Sequence, residues 1–194
     1  MIALVDIDNV LNNFGQTVVN AYNKEYYTSF KLDAMVNYDL YSCMQPNTLT
    51  YEEFCTKYFT GNKYCDESIP HPDSIQGLCE LNSLCETYLV TSREMSELPN
   101  IIIWINNFYP FIKDEQLIRC KNKNLINGDI LIDDWLDNIL SFSRGRIVFD
   151  YPWNRNIDDK TNFIDRAYNW EDVLNIIKLK LNWKKVFIYD KTNL

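Results

Sequence analysis

Short apolar segments alternate with helical sequence patterns along most of this chain. The first, residues 2–7, runs directly into Asp8 and has the near-continuous apolar character of a buried strand in a parallel sheet. Ser74, Pro99 and Asn169 stand at predicted helix starts. This alternation predicts an α/β fold with a parallel sheet. Further strands are predicted at residues 87–90, 117–118, 130–132 and 147–149, a helix at 135–142 and an added edge strand at 186–189.

A long segment interrupts the alternation after the first strand. Asp8 and Thr91 are 83 positions apart, whereas a strand-helix-strand crossover needs only about 30 residues. The intervening sequence is rich in Tyr and Phe and has largely helical patterns. We therefore predict a core formed by residues 1–14 and 71–194 and a small, mainly helical cap formed by residues 15–70. Most of the aromatic rings are expected to form a small core of their own, and a few to face a ligand above the sheet.

The composition excludes several kinds of site. His71 is the only histidine, which rules out an HExxH zinc site, and a Ser-His-Asp mechanism would depend on that residue alone. The five glycines are widely spaced, so neither a GxGxxG loop nor a phosphate-binding P-loop is present. A net charge of −8 argues against nucleic-acid polymers as partners, because their affinity comes mainly from phosphate neutralisation.

The sequence also predicts a cytoplasmic protein. Asp6 comes too early for the apolar core of a signal peptide, and no run of 18 apolar residues occurs, so we expect no membrane association. The six cysteines form no CxxC pair, and we expect them to be buried free thiols rather than a disulfide framework. The sequence leaves the oligomeric state open, a homodimer included.

Polar residues stand at the ends of several predicted strands. Because the carboxyl ends of parallel strands emerge at one edge of a sheet, these residues are expected to meet there. Four aspartates in one place repel each other unless a cation is present, and an all-oxygen ligand set points to Mg²⁺. The residues are Asp6 and Asp8, Thr91 and Ser92, Lys123 in a polar loop, and Asp133 and Asp134.

A phosphate group is the natural substrate for such a site. The metal, Lys123 and the Thr91 hydroxyl would together offset the charge that repels an attacking carboxylate. Asp6 could then act as the nucleophile. Asp8, two positions further on, could protonate the leaving oxygen and later deprotonate the water that hydrolyses an aspartyl-phosphate.

These residues resemble the signature motifs of the haloacid dehalogenase superfamily. The segments are DIDNVL (6–11), LVTS (89–92), the lysine of KNKNL and LIDD (131–134). DIDNVLNNF, VTSRE, KNLINGDILIDD and a late YPWNR resemble, more closely, the 5'(3')-deoxyribonucleotidases of the cytosolic type C group. The resemblance implies a Rossmann-like core with a cap after the first strand. It also implies a Mg²⁺-dependent phosphatase that hydrolyses (deoxy)nucleoside monophosphates through an aspartyl-phosphate.

The resemblance also implies roles for individual residues. Asp6 would be the nucleophile, and Asp8 the acid and base that also gives its backbone carbonyl to Mg²⁺. Asp134 would be the acidic metal ligand, with Asp133 supporting it or binding through water. Of two candidate lysines, Lys123 fits the family spacing to Asp133 better than Lys121 does. The resemblance also implies phosphate binding by Thr91 and Lys123 and substrate contact by Ser92 and by Phe14, which could instead be an ordinary core residue. Tyr38 and Phe59 of the cap are further candidates for contact with the base or sugar, independent of the resemblance.

Two positions depart from the family pattern, and three other functions stay open. Asn9 stands where a glycine is common and tolerates positive φ better than most residues, and Arg93 stands where a proline is frequent. The same chemistry could serve another small phosphomonoester, such as a sugar phosphate. The chain could also be a silent binding scaffold. A signalling phosphoacceptor also uses an Asp cluster, but the acidic pair would then come first, and no large insert would follow the first strand.

Overall fold

One parallel sheet organises the fold. The computed structural model describes residues 1–45, 48–59 and 67–191, with side chains up to residue 182. Within these residues, six strands pair in the order β3-β2-β1-β4-β5-β6, all parallel. The strands are β1 (Ile2–Asp6), β2 (Glu86–Thr91), β3 (Leu117–Arg119), β4 (Ile130–Asp133), β5 (Gly145–Phe149) and β6 (Asp165–Ala167).

Helices connect and cover the strands. The described α-helices are α1 (Phe14–Tyr26), α2 (Leu40–Met44), α3 (Tyr51–Tyr58), α4 (Ser74–Leu84), α5 (Leu98–Phe108), α6 (Leu136–Ser141) and α7 (Trp170–Lys191). Pro99 lies in the first turn of α5, as predicted. None of the helices in the described part of the chain combines the length and apolar character that crossing a membrane requires.

The five predicted strands are confirmed, and the predicted α/β fold with them. The sheet is buried on both faces, which explains the near-continuous apolar runs. Ala3 and Val5 of β1 belong to the larger core cluster, whereas Leu4 between them belongs to a second cluster. Strand β6 was not predicted, because its sequence Asp-Arg-Ala carries no apolar run.

The predicted edge strand at residues 186–189 is wrong. These residues lie inside α7, which extends to Lys191. The helix start is fixed by Asn169, whose side-chain oxygen accepts a hydrogen bond from the Asp172 backbone N–H at 2.8 Å. No glycine or proline follows Trp170, so nothing in the sequence breaks the helix. A four-residue apolar piece was too short to decide between strand and helix.

The segment between β1 and α4 contains an aromatic cluster, as predicted. The Tyr22 ring lies 4.7 Å from Tyr26, 5.9 Å from Tyr58 and 6.2 Å from Phe54, measured between ring centroids. Phe54 and Tyr58 are buried, so α1 and α3 are held together by their own apolar contacts. The exact boundaries of a cap, at residues 15 and 70, stay a prediction.

The cysteines follow the expectation only in part. The five in the described residues are free, but only Cys85 is buried, while Cys79 is exposed. Apolar neighbours in sequence misled the burial prediction, because on a helix the adjacent residue faces another direction. Cys65 lies outside the described residues.

Candidate active site

The predicted site residues gather where the strand order reverses. Strands β2 and β4 flank β1, and the next strand in sequence after each lies on the outer side. Ligands of open α/β sheets bind at such a reversal, outside the carboxyl ends of the strands. Asp6 ends β1, Thr91 ends β2 and Asp133 ends β4. All three side chains therefore lie at one edge of the sheet.

Lys123 lies between two of the aspartates. Its ammonium nitrogen contacts an Asp6 carboxylate oxygen and donates to Asp133 Oδ2 at 2.6 Å. The Lys123 side chain is almost completely buried. The rival Lys121 is 63% exposed and pairs with Glu94 at 2.6 Å. Only Lys123 of these two contacts the acidic group, as the spacing to Asp133 predicted.

Asp133 is held in place by its neighbours. Its Oδ1 accepts from the Trp135 backbone N–H at 2.9 Å, and its Oδ2 accepts from the Asn138 side chain at 2.9 Å as well as from Lys123. Both oxygens are thus engaged within the protein. This arrangement fits a supporting residue better than a direct metal ligand.

Asp134 differs from Asp133 in having one oxygen without a partner. Its Oδ2 accepts from Asn9 at 3.1 Å, whereas its Oδ1 is buried and makes no hydrogen bond. Carboxylate oxygens of Asp6, Asp133 and Asp134 all lie within 4.8 Å of one another. Three buried carboxylates against one lysine leave negative charge uncompensated, so the residues fit an oxygen-liganded divalent cation.

The electrostatics of this group support the same conclusion. Burial raises the pKa of Asp6 to about 7, although Lys123 opposes the shift and Asp133 adds to it. Burial also raises the pKa of Asp134 well above its usual range, and the Asp133 and Asp6 charges raise it further. Burial alone would lower the pKa of Lys123, but the Asp133 and Asp6 carboxylates raise it. Without a further cation the carboxylates disfavour being charged together.

Asp8 lies apart from the buried carboxylates and has other partners. Its Oδ2 accepts from Arg93 Nε at 2.7 Å, and its Oδ1 accepts from the Asn12 side chain at 3.2 Å. The carboxylate lines a cavity of about 410 Å³ above the sheet edge. It can therefore reach a ligand in that cavity, whereas Asp6 is not among the residues that line it.

The other predicted contact residues line the same cavity. Phe14, Tyr38, Phe59 and Ser92 all contribute to its wall. Phe14 is also part of the main core cluster, so its ring both packs in the core and lines the cavity wall. Thr91 Oγ1 accepts from the Arg93 backbone N–H at 3.1 Å, which leaves the hydroxyl proton free to donate to a ligand.

Several residues of this region were missed or given another role. Tyr51, Arg93, Glu97 and Trp153 also line the cavity. Arg93 and Glu97 form an ion pair at 2.9 Å. Their separation of four positions is a sequence signal for such a pair, because oppositely charged residues at this spacing often interact. Trp153 belongs to the YPWNR segment and is buried in the main core cluster, where its ring stacks on Tyr151 with centroids 4.6 Å apart. It therefore packs this loop and also lines the cavity.

Asn154 holds the backbone of Asp134 by a hydrogen bond. Its side-chain nitrogen donates to the backbone carbonyl oxygens of Asp134 and Phe149, both at 2.8 Å. Arg166 on β6 in turn donates to Asn154 Oδ1 at 2.7 Å and to Asp150 Oδ1 at 2.9 Å. The unpredicted strand β6 thus helps to fix Asp134, through a contact that no local sequence pattern reveals.

Comparison with characterised proteins gives relatives of one kind. A 5'(3')-deoxyribonucleotidase of Bacillus subtilis is 38% identical over 96 residues, which are 48% of this chain and 54% of the relative. The match thus spans about half the length of that protein. A 5'(3')-deoxyribonucleotidase of Clostridium acetobutylicum is 27% identical over 168 residues, 86% of this chain and 88% of the relative.

Solved structures show the same fold. A haloacid dehalogenase-like family hydrolase of Streptococcus pneumoniae superposes with a TM-score of 0.64 at 16% identity, covering 90% of this chain and 97% of that one. A HAD family hydrolase of Deinococcus radiodurans, solved with bound phosphate and sodium, gives a TM-score of 0.53 at 10% identity, covering 85% and 90%.

A family model covers nearly the whole sequence. It matches residues 1–184 and is described as 5' nucleotidase, deoxy (pyrimidine), cytosolic type C protein. The match includes both strand ends that carry aspartates, the loop with Lys123 and the whole segment between β1 and α4. The chain therefore belongs to the cytosolic type C family of deoxyribonucleotide 5'-nucleotidases.

Proposed function

We propose that this chain is a Mg²⁺-dependent phosphatase that hydrolyses (deoxy)nucleoside monophosphates to nucleoside and phosphate. The observation that carries the proposal is the buried contact of Lys123 with Asp6, beside Asp133 and Asp134, together with the aromatic-lined cavity that Asp8 and Ser92 also line. The 5'(3')-deoxyribonucleotidase names of two relatives support the substrate class. A homodimer stays a prediction.

The metal would be held by Asp6, Asp134 and the backbone carbonyl of Asp8, with Asp133 supporting Asp134. The partnerless oxygen of Asp134 favours this assignment. When bound, Mg²⁺ would neutralise charge on the phosphate and on the carboxylates. The phosphate bound to the hydrolase of Deinococcus radiodurans is consistent with an anion in such a fold.

The first chemical step forms a covalent intermediate. An Asp6 carboxylate oxygen forms a bond to phosphorus, and the ester P–O bond breaks with its electron pair going to the leaving oxygen. Asp8 gives its proton to that oxygen, which releases the nucleoside. Lys123, already in contact with Asp6, and the Thr91 hydroxyl would bind the phosphate oxygens and stabilise their charge.

The second step restores the enzyme. Asp8, now a carboxylate, takes a proton from water as the water oxygen forms a bond to phosphorus. The bond from phosphorus to the Asp6 oxygen breaks, inorganic phosphate leaves, and Asp8 holds the proton again. The cavity aromatics Phe14, Tyr38 and Phe59 would contact the base or sugar, and Ser92 would contact the substrate near the phosphate.

A phosphatase screen tests this proposal. The purified protein should release phosphate from dUMP or dTMP with Mg²⁺ and stop when EDTA is added. Asp6→Asn should lower turnover to background, since the amide is not a nucleophile, while the circular dichroism spectrum stays unchanged. Activity that survives EDTA would contradict the metal role, and near-normal rates in Asp6→Asn would contradict the covalent route. Ribonucleotides and sugar phosphates in the same screen define the substrate class.

A further inference from the structure

Arg93 is a buried cation that the proposed chemistry does not yet use. It follows Thr91 and Ser92, and its side chain is only 9% exposed. The guanidinium donates from Nε to Asp8 Oδ2 at 2.7 Å. Its backbone N–H donates to Thr91 Oγ1 at 3.1 Å. One residue therefore contacts both the proposed proton donor and the proposed phosphate ligand.

Three further contacts fix the direction of the guanidinium group. Nη1 donates to Glu97 Oε1 at 2.9 Å and also to the backbone carbonyl of Phe59. The guanidinium carbon lies 4.2 Å from the centroid of the Phe14 ring. Glu97 is itself held, because its Oε2 accepts from the Glu94 backbone N–H at 2.9 Å. The group that contacts Asp8 is therefore oriented from several sides.

The hydrogen bond from Arg93 to Asp8 is the stronger of the two hydrogen bonds described for the Asp8 carboxylate. The Asn12 side chain donates to the other oxygen at 3.2 Å, a longer bond from an uncharged donor. Without Arg93, the Asp8 side chain would be held mainly through that amide. Its rotamer would then be free to leave the direction that faces the cavity.

We propose that Arg93 is a positioning residue, which holds the Asp8 carboxylate in place for proton transfer and connects it to the segment before α4 through the Phe59 carbonyl. This inference rests on the proposed function, because it needs Asp8 to protonate the leaving oxygen. Arg93 itself does not react. It sets the geometry from which the proton moves, and an error of about 1 Å in such geometry can cost about 100-fold in rate.

The leaving group distinguishes positioning from a merely structural role. The benzyl alkoxide that forms as the P–O bond breaks is strongly basic and must be protonated, whereas p-nitrophenolate leaves without a proton. The two phosphate esters have nearly the same size, so differences in binding are small. The parameter kcat/KM covers binding and the steps up to alcohol release, before the second use of Asp8. A displaced Asp8 therefore slows benzyl phosphate selectively.

The experiment measures kcat and KM for both esters with Mg²⁺ in wild type, Arg93→Gln and Arg93→Lys. In Arg93→Gln we expect kcat/KM for benzyl phosphate to fall about 10- to 100-fold and that for p-nitrophenyl phosphate to change less than about threefold. A burst of p-nitrophenolate should precede steady state, because the second step needs Asp8. The loss of kcat/KM for benzyl phosphate in Arg93→Lys should be smaller than in Arg93→Gln but still measurable against wild type. One ammonium group cannot reach Asp8, Glu97 and the Phe59 carbonyl together.

Arg146→Gln is the matched control. Arg146 donates to the backbone carbonyls of Phe142, Asn162 and Leu140 near the start of β5, at the opposite edge of the sheet. Its loss should lower the melting temperature and leave the ratio of the two kcat/KM values unchanged.

If Arg93→Gln and Arg93→Lys each lower kcat/KM by the same factor for both esters, the positioning role is overturned. If Arg93→Gln does not fold, the Arg93→Lys ratio decides alone. Failure of the proposed function looks different, because wild type would then hydrolyse none of the phosphomonoesters, dTMP included.

Discussion

Asn9 connects the Asp134 carboxylate to the first helix from a backbone conformation that most side chains avoid. Its φ is 62°. Its side-chain nitrogen donates to Asp134 Oδ2 at 3.1 Å, and its side-chain oxygen accepts from the Gly15 backbone N–H at 2.7 Å. Asparagine is among the residues that tolerate the left-handed region, as the sequence suggested. The structure adds that both polar atoms of the Asn9 side chain make hydrogen bonds, so the side chain contributes contacts in addition to its backbone conformation.

Two substitutions at Asn9 separate these contributions. Asn9→Gly keeps access to positive φ but loses both side-chain hydrogen bonds, so we expect a smaller rise in melting temperature when Mg²⁺ is added. Asn9→Ala loses the same bonds and also pays about 1–2 kcal/mol for the left-handed conformation, so it should be less stable than Asn9→Gly. Thermal unfolding with and without Mg²⁺ measures both effects. An Asn9→Ala protein as stable as wild type would contradict this account.

At the level of single residues, spacing along the chain was informative for one contact. The ten-position gap from Lys123 to Asp133 indicated which lysine contacts the acidic group, and their atoms are 2.6 Å apart. The pairing of Arg93 with Asp8 could not be predicted in this way. These residues are 85 positions apart, and they meet only because β1 and β2 are adjacent and in register.

At the level of elements, Gly77 allows α4 to approach α7 closely. A Cβ built at this position would lie 2.6 Å from a Trp170 ring carbon and 2.9 Å from Trp170 Cβ. Trp170 is buried, and its ring nitrogen donates to the Val10 backbone carbonyl at 3.0 Å. The ring cannot shift freely without losing that bond, so the contact requires a residue without a side chain.

Gly77→Ala should therefore destabilise the protein, although alanine is the better helix former. We expect a loss of about 1–3 kcal/mol from overpacking, measured by urea unfolding. The exposed neighbour Gln76 provides the control, because Gln76→Ala on the same helix should change stability by less than about 0.5 kcal/mol. A Gly77→Ala protein more stable than wild type would show that the two helices can separate at little cost.

Elements were predictable where a hydrophobic period was long enough. Four of the five predicted strands, β1, β2, β4 and β5, have buried residues on both faces, and α5 and α7 carry clear start signals. Strand β6 has three residues with two charges and forms through pairing with β5. The misassigned residues 186–189 lie in a helix that was already established upstream. In both cases the secondary structure of the segment is decided by residues outside it.

For the whole molecule, the buried carboxylates couple stability to pH. Burial raises the pKa of Asp6 to about 7, well above that of an aspartate in an unfolded chain, about 3.9. The folded state thus binds the Asp6 proton more tightly than the unfolded state does. The contribution of Asp6 to stability is fully present below about pH 4 and is lost as the pH rises to about 7. Burial shifts Asp134 in the same direction.

We therefore expect EDTA-treated wild-type protein to lose stability relative to Asp6→Asn between about pH 4 and pH 7. Carboxylates with lowered pKa values, such as Glu94 and Asp158, act in the opposite direction but are common to both proteins. Melting temperatures across this range measure the difference. A constant difference between the two proteins would contradict the raised pKa of Asp6.

Mg²⁺ should reverse the loss at pH 7 and above. A ligand that binds only the folded state at 100 times its dissociation constant adds about 2.7 kcal/mol. Asp134→Asn removes the charge of the carboxylate with the partnerless oxygen and should abolish the rise in melting temperature. An equal rise in Asp134→Asn would place the cation elsewhere.

The central position of β1 has a consequence for how the chain folds as it is synthesised. This strand is made first, yet it pairs on one side with β2 and on the other with β4, and Ile2 donates to Asp129, 127 positions later. One edge of this apolar strand therefore stays unpaired until β4 has been made. Contacts of such separation slow folding and leave the nascent chain prone to aggregation. The arrangement that brings Asp6 beside Asp133 thus leaves one edge of β1 unpaired in any fragment that contains β1 and β2 but lacks β4.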